Sequence, residues 1–169
     1  MSLLVRPAQP DNPQDIAGIT AIYNDAVVNT TAIWDEAEGT LEDRHLWVKS
    51  RLADGFPFLV AVDGDEVLGY ATFAGFRARS GYRHTVEHSI YVASHQRRRG
   101  IAAALMPPLI EEARKRKLHI MIGGIEAENI ASIRLHTHFG FVEVGRLPQV
   151  GRKFDRWLDL VFMQKTLDD

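Results

Sequence analysis

Apolar and polar positions along this chain switch repeatedly between a helical and a strand period, and the order of those switches predicts a mixed α/β fold. Residues 3–6 read as a short strand closed by Pro7. Asp11 or Asn12 caps a helix over residues 13–28, with Ile16, Ile19, Ala21, Ile22 and Tyr23 on its apolar stripe. Residues 29–39 have no period and read as a loop carrying Ile33 and Trp34. Thr40, with Asp43 three residues on, predicts a capping pair for a helix over residues 41–53, stopped by Asp54-Gly55. Residues 58–62 and 67–73 read as a hairpin turning at Asp63-Gly64. An arginine-rich loop over residues 75–81 leads to a strand at 85–92, where Thr85, Glu87, Ser89 and Tyr91 share a face.

The second half continues the alternation. Residues 100–116 form a helix with Ile101, Leu105, Leu109 and Ala113 at successive turns, and residues 118–125 form an apolar strand. A helix from Asn129 or Ile130 to Phe139 stops at Gly140. Residues 141–144 and 157–165 read as strands around a long loop, 145–156. Pro107-Pro108 breaks the local rule: each ring removes a helical donor at a cost of about 3 kcal/mol, which predicts a bend or break near residues 104–107. With no linker visible, residues 1–169 read as one domain.

Composition narrows the function. The chain is 46% hydrophobic and 25% charged, as expected of a globular protein. Apolar runs are too short to span a membrane, and Met1-Ser2-Leu3-Leu4-Val5-Arg6 lacks the pattern of a secretory signal, so the cytoplasm is the expected compartment. The absence of cysteine excludes disulfides, thiolate metal sites and a cysteine nucleophile. A net charge of -2 argues against a nucleic-acid partner. Positive charge is nonetheless clustered, at Arg77, Arg79 and Arg83 and at Arg97-Arg98-Arg99, which suggests sites for small anions.

The second cluster opens a helix. A first turn offers unpaired N–H groups and the positive end of a dipole, and the small residues Gly100 and Ala102 let a phosphate approach. Alone, Gly-x-Ala is equally a permissive turn beside solvated arginines; the order strand, arginine-rich turn, helix is what favours an anion site. Arg97-x-x-Gly100-x-Ala102, followed by Asn129, Ser132, Leu135 and Gly140-Phe141, resembles the GCN5-related N-acetyltransferase (GNAT) superfamily. The runs Ile22-Tyr23-Asn24-Asp25-Ala26-Val27, Asn29-Thr30-Thr31-Ala32, Thr85-Val86-Glu87-His88-Ser89-Ile90-Tyr91-Val92 and Gln149-Val150-Gly151-Arg152-Lys153-Phe154 are similar to its phosphinothricin and methionine sulfoximine/methionine sulfone acetyltransferase branch.

The resemblance implies an α/β GNAT fold. Its central sheet is mixed, mostly antiparallel and twisted, with about six to seven strands and about four flanking helices, and it is splayed at the cofactor-binding strand. It implies acetyl-CoA as acetyl donor and no metal. Ile90, Tyr91 and Val92 would hold the pantetheine arm through backbone groups. Arg97, Arg98, Arg99, Gly100, Ile101, Ala102 and Ala103 would surround the pyrophosphate, with Asn129 and Ser132 beside the arm.

Transfer to an amine needs a base. Glu87, in the middle of a strand that reads as buried, must be paired, hydrated or raised in pKa. It is either the base, as the resemblance implies, or a structural glutamate paired with Arg83; Glu126 and Glu128 are rivals. A backbone N–H near Val92 is the expected partner of the thioester oxygen. Where many GNAT enzymes carry a tyrosine acid, this sequence has His136, which is an acid, a structural histidine, or dispensable if solvent protonates the thiolate. His84/His88 and His136/His138 lack the carboxylates of a metal site.

Arg77, Arg79 and Arg83 are candidates to bind an amino-acid carboxylate, since guanidinium does so bidentately. Trp34, Phe76 and Tyr82 either wall the acceptor pocket or simply pack, and Ala78, Thr85, His88 and Ser89 complete the expected acceptor segment. The branch resemblance implies a homodimer in which Lys153 and Phe154 reach the partner's site. The expected activity is acetylation of a small amino acid by direct attack in a ternary complex. The alternatives are a GNAT acting on another amine, such as a peptide N-terminus, or a non-catalytic acyl-CoA sensor.

Overall fold

The structure, a computed structural model, describes residues 2–167; Met1, Asp168 and Asp169, the ends of the expected domain, lie outside the described residues. Seven strands form one sheet: β1 (Leu4–Pro7), β2 (Phe58–Asp63), β3 (Glu66–Gly75), β4 (Thr85–Val92), β5 (Ile120–Glu126), β6 (Val142–Lys153) and β7 (Arg156–Thr166). Their spatial order is β1-β2-β3-β4-β5-β7-β6. Every neighbouring pair is antiparallel except β4–β5.

Four α-helices cover the two faces: α1 (Pro13–Asn29) and α2 (Leu41–Ala53) on one, α3 (Ile101–Lys115) and α4 (Ile130–His138) on the other. The caps form as the sequence predicts. The Asn12 side chain accepts from the Gln14 N–H, with Pro13 opening α1, and Thr40 and Asp43 exchange both bonds of a capping box. α1 buries Ile16, Ile19 and Ile22 against β3 and β4, and α3 buries Ile101, Leu105, Leu109 and Ala113 against the opposite face.

The prolines do not break α3. The helix is uninterrupted from Ile101 to Lys115, with Pro107 and Pro108 inside it. Two lost donors cost about 3 kcal/mol each. Five large side chains on the same helix (Ile101, Leu105, Met106, Leu109 and Ile110) are buried, and burial contributes about 1.5–3 kcal/mol apiece. Packing wins over the local rule.

The second departure is the segment expected as a loop over residues 145–156. It is the end of β6, the start of β7 and the two-residue turn between them, Phe154-Asp155, with Lys153 paired to Arg156. Both turn residues have positive φ, 52° and 57°, the backbone of a hairpin turn usually supplied by Asn-Gly. Register shifts at 143/145 and 147/151 hide the alternation that would have marked a strand.

One feature of the sheet prepares the site. β4 pairs with β3 along its whole length, to Val92 opposite Gly69, but with β5 only over Thr85–His88. Beyond Gly123, β5 continues with β7 alone. The sheet therefore parts, and the far edge of β4 from Ser89 to Val92 has no strand partner.

Candidate active site

The parting of β4 from β5 opens a cavity of about 150 Å³, lined from β4 by Glu87, His88, Ser89, Ile90 and Tyr91, from β5 by Gly123, Gly124, Ile125 and Glu126, and from α4 and the residue before it by Ser132, His136 and Asn129. Ala32 closes it from the loop after α1.

Glu87 is half-buried on this wall, and burial raises its pKa. Among the described residues it forms no ion pair: Arg83 donates to the Ser80 carbonyl and is exposed. The rival carboxylates are engaged. Glu126 accepts from Thr31 and from the Glu128 N–H, and Glu128 is paired with Arg156 at 3.0 Å. Among the described residues, Glu87 alone combines cavity lining, partial burial and a carboxylate without a hydrogen-bond or ion-pair partner.

After β4 the chain makes a 3-10 turn at Ser94–Gln96 and enters α3 through Gly100, whose φ of 78° is a left-handed conformation that disfavours any side chain. No side chain caps α3, and a β-carbon at Gly100 would meet nothing within 4 Å. The first-turn amides of Ile101, Ala102 and Ala103 thus face an open approach, with Arg97, Arg98 and Arg99 exposed beside them. Arg99 donates to Gln96, which in turn bonds Glu66. An uncapped, unobstructed helix mouth next to a strand edge without a partner fits a ligand that has a phosphate at one end and an amide-bearing arm at the other. Ile90, Tyr91 and Val92 lie on that edge. Asn129 accepts from the Ser132 N–H as the N-cap of α4, so its side-chain oxygen has a structural task while the residue lines the cavity.

His136 and His88 are buried against each other, their Nε2 atoms 2.9 Å apart. His88 Nδ1 lies 2.9 Å from the Ile122 carbonyl and His136 Nδ1 lies 2.7 Å from the Ser132 carbonyl. Burial pulls both imidazoles below their ordinary pKa, and for His88 the neighbouring ring adds to the effect. Among the described residues, no group of three or more His, Cys, Asp or Glu side chains could hold a metal.

The expected acceptor residues are less unified. Arg77, Ala78, Arg79, Tyr82 and Arg83 are exposed between β3 and β4, and none lines the cavity. Thr85 begins β4, and Ser89 lines the cavity. Phe76 stacks edge-on against Tyr82 and against Phe162 of β7. Trp34 donates to the Thr31 carbonyl and lies on Gly151, where a β-carbon would come within 2.3 Å of its ring; that is packing within the chain. Lys153 is only 2% exposed, and its Nζ donates to the carbonyls of Thr30 (2.8 Å) and Ile33 (2.5 Å). Both bonds of its ammonium lie within its own chain. Phe154, next to it at the turn, is exposed.

Gly123, Gly124 and Phe162 belong to the site's surroundings and escaped the sequence reading. A pair of glycines inside an apolar strand was the available signal, since such glycines mark close approach by a ligand or side chain.

Comparison with known proteins follows the same lines. Residues 11–162 match the family described as "Acetyltransferase (GNAT) domain". The chain is 53% identical over 155 residues to an L-methionine sulfoximine/L-methionine sulfone acetyltransferase of Pseudomonas aeruginosa, covering 91% of this chain and 90% of that one. It superposes with a TM-score of 0.94 on a Salmonella typhimurium structure described as yncA with its cofactor acetyl-CoA, at 44% identity, covering 100% of this chain and 96% of that one. A Brucella melitensis structure described as a ribosomal-protein-alanine N-acetyltransferase matches with a TM-score of 0.92 and 54% identity, covering 96% and 99%.

Proposed function

The chain belongs to the GNAT acetyltransferase family, and from that premise we propose that it acetylates the α-amine of a small amino acid, with methionine sulfone, methionine sulfoximine and phosphinothricin as candidate acceptors. It is an N-acetyltransferase that takes its acetyl group from acetyl-CoA. The observation that carries the reading is Glu87, an unpaired carboxylate raised in pKa by burial and lining the cavity where the sheet parts.

The roles follow from proton chemistry. Bound acetyl-CoA supplies a thioester, and everything else falls to the chain. An ammonium acceptor cannot attack until it loses a proton, and Glu87 takes it directly or through water. Backbone groups of Ile90, Tyr91 and Val92 hold the pantetheine arm, and an N–H near Val92 meets the charge that develops on the carbonyl oxygen. The α3 mouth, from Arg97 to Ala103, holds the pyrophosphate. Asn129 and Ser132 flank the arm, and His136 handles the proton for the departing sulfur. Since there is no cysteine to carry the acetyl group, attack is direct, within a ternary complex.

Acceptor recognition is assigned to the segment Phe76, Arg77, Ala78, Arg79, Tyr82, Arg83, Thr85, with His88 and Ser89 at the cavity wall. The continuous sheet supports reading residues 1–169 as one domain. The exposed apolar side chains of the β6–β7 hairpin (Val142, Val144, Leu147, Val150, Phe154 and Trp157) support a homodimer formed through it. Among the described residues no helix is long and apolar enough to cross a membrane, and use of acetyl-CoA suits a cytoplasmic enzyme.

A second reading, acetylation of a peptide N-terminus, is favoured by the Brucella melitensis relative. Thiol release measured against free amino acids, their sulfone, sulfoximine and phosphinate analogues, and alanine-initiated peptides separates the two. Turnover confined to peptides overturns the free amino acid as acceptor, and coenzyme A binding without turnover on any acceptor favours a sensor.

A further inference from the structure

The two buried histidines are one proton short of what their surroundings require. A carbonyl oxygen only accepts, so the Ile122 carbonyl at 2.9 Å calls for N–H at His88 Nδ1, and the Ser132 carbonyl at 2.7 Å calls for N–H at His136 Nδ1. The Nε2–Nε2 contact at 2.9 Å calls for a third N–H. Two neutral imidazoles carry two between them. At rest one contact therefore sets lone pair against lone pair, and a single added proton completes all three.

The surroundings keep that proton count unsettled. On β4, Glu87 and Tyr91 line the same cavity; on β5, Glu126 does. β3 sets Phe73 opposite His88, and Phe141 covers both rings at 5.3 and 5.1 Å. β7 places Met163 opposite Gly123, with Lys165 turned to Gly140. On α4, Arg134 and His138 are exposed. Among the described residues, no Asp, Glu, Lys or Arg side chain acts on the rings. Both histidines line the cavity themselves, as does Ser132, whose hydroxyl is 3.4 Å from His136 Nδ1.

We propose that His88 and His136 act as one proton-holding unit, taking up a single proton between their Nε2 atoms during turnover and returning it, with His88 a positioning residue that acts through His136. The moment of use rests on the acetyltransferase reading; the proton uptake does not. The balance closes. An ammonium acceptor loses two protons as the C–N bond forms, and the sulfur gains one as the C–S bond breaks with its electron pair leaving on sulfur. Glu87 passes the first proton to solvent. The pair holds the second until the sulfur takes it, and ends neutral as it began.

Ring-15N NMR of the intact protein, titrated from neutral to acid, tests the uptake. The expected result is one one-proton step reported by both rings together, with a deshielded proton coupled to both Nε2 atoms and N–H at both Nδ1 positions. Independent titration of the rings, or two rings that stay neutral in fixed tautomers, overturns the proposal. In kinetics, His88→Gln, which hydrogen-bonds without carrying charge, lowers kcat about 10- to 100-fold, leaves the KM for acetyl-CoA unchanged and moves the acid-side inflection of the kcat profile. A folded variant with an unmoved profile overturns the role in turnover. If the variant does not fold, the wild-type titration still decides. Shared uptake in a protein that acetylates nothing sinks the acetyl-transfer reading and leaves the pair standing; brisk turnover without shared uptake does the reverse.

Discussion

The Glu87 carboxylate lies 3.1 Å from the point where a β-carbon on Gly124 would stand, with Leu160 and Phe162 around the same point. The glycine is thus the space the carboxylate uses. Gly124→Ala forces Glu87 aside by a few tenths of an ångström, and the expected result is a fall in kcat of about 10-fold or more with coenzyme A affinity intact, because small misplacements of a base are costly. Steady-state kinetics beside calorimetric titration of coenzyme A checks it.

Replacing the carboxylate outright goes further. Glu87→Gln is expected to lower kcat by about 10²- to 10⁴-fold, the range for a positioned base, with cofactor affinity retained. Loss of both indicates a structural role.

The raised pKa of Glu87 has a sign that can be read in two ways. Activity falls as pH drops through the raised value, so the acid limb of kcat/KM lies above the ordinary carboxylate range. Stability runs the other way. Between the unfolded and folded pKa the native state binds more protons, so this group's contribution declines as pH rises. Glu87→Gln is therefore expected to raise Tm at neutral pH and to leave it unchanged at acid pH, where the carboxyl is protonated in both states. Thermal melts at the two pH values decide, and a variant destabilised at neutral pH contradicts the sign.

At Gly100, φ is 78° and a β-carbon has free space, so a substitution there strains the backbone without a clash. Gly100→Val is expected to cost about 1–2 kcal/mol and to weaken coenzyme A binding, while Glu87's pH limb stays where it was. Unchanged affinity in the folded variant removes the α3 mouth from the cofactor site.

Lys153→Met strips two carbonyls, the half-buried one of Thr30 and the buried one of Ile33, of their donor. The expected loss is about 2–6 kcal/mol of stability, at 1–3 kcal/mol for each unsatisfied group. Denaturant unfolding measures it. Mixing the variant with a Glu87→Gln protein gives no rescue if Lys153 serves only its own chain, and recovered activity contradicts that.

How much of this was legible beforehand varied with the physics. Caps, helix stripes and the order of elements are local, so Asn12, Thr40, Asp43 and the stripe of α3 were readable. The survival of α3 through Pro107-Pro108 was not, because the compensating burial comes from strands far away in sequence. The β6–β7 hairpin was hidden because its turn uses Phe154-Asp155 in a conformation usually marked by glycine or asparagine, and bulges scramble the alternation before it. Glu87 and His136 are visible in the sequence as titratable residues at motif positions. That His136 meets His88 depends on the contact between α4 and β4, and a sequence does not display which histidines become neighbours. The inward bonds of Lys153 to Thr30 and Ile33 depend on a contact more than a hundred residues apart, which no local pattern displays.

The parted sheet has an evolutionary corollary. On the proposed reading, a donor gripped by main-chain amides and carbonyls is held by atoms that no point mutation can delete, which leaves the side chains of Ile90, Tyr91 and Val92 to pack against the core. Selection can then reshape what enters from the Glu87 side, swapping one amine for another across generations, without renegotiating the half of the reaction that every descendant shares.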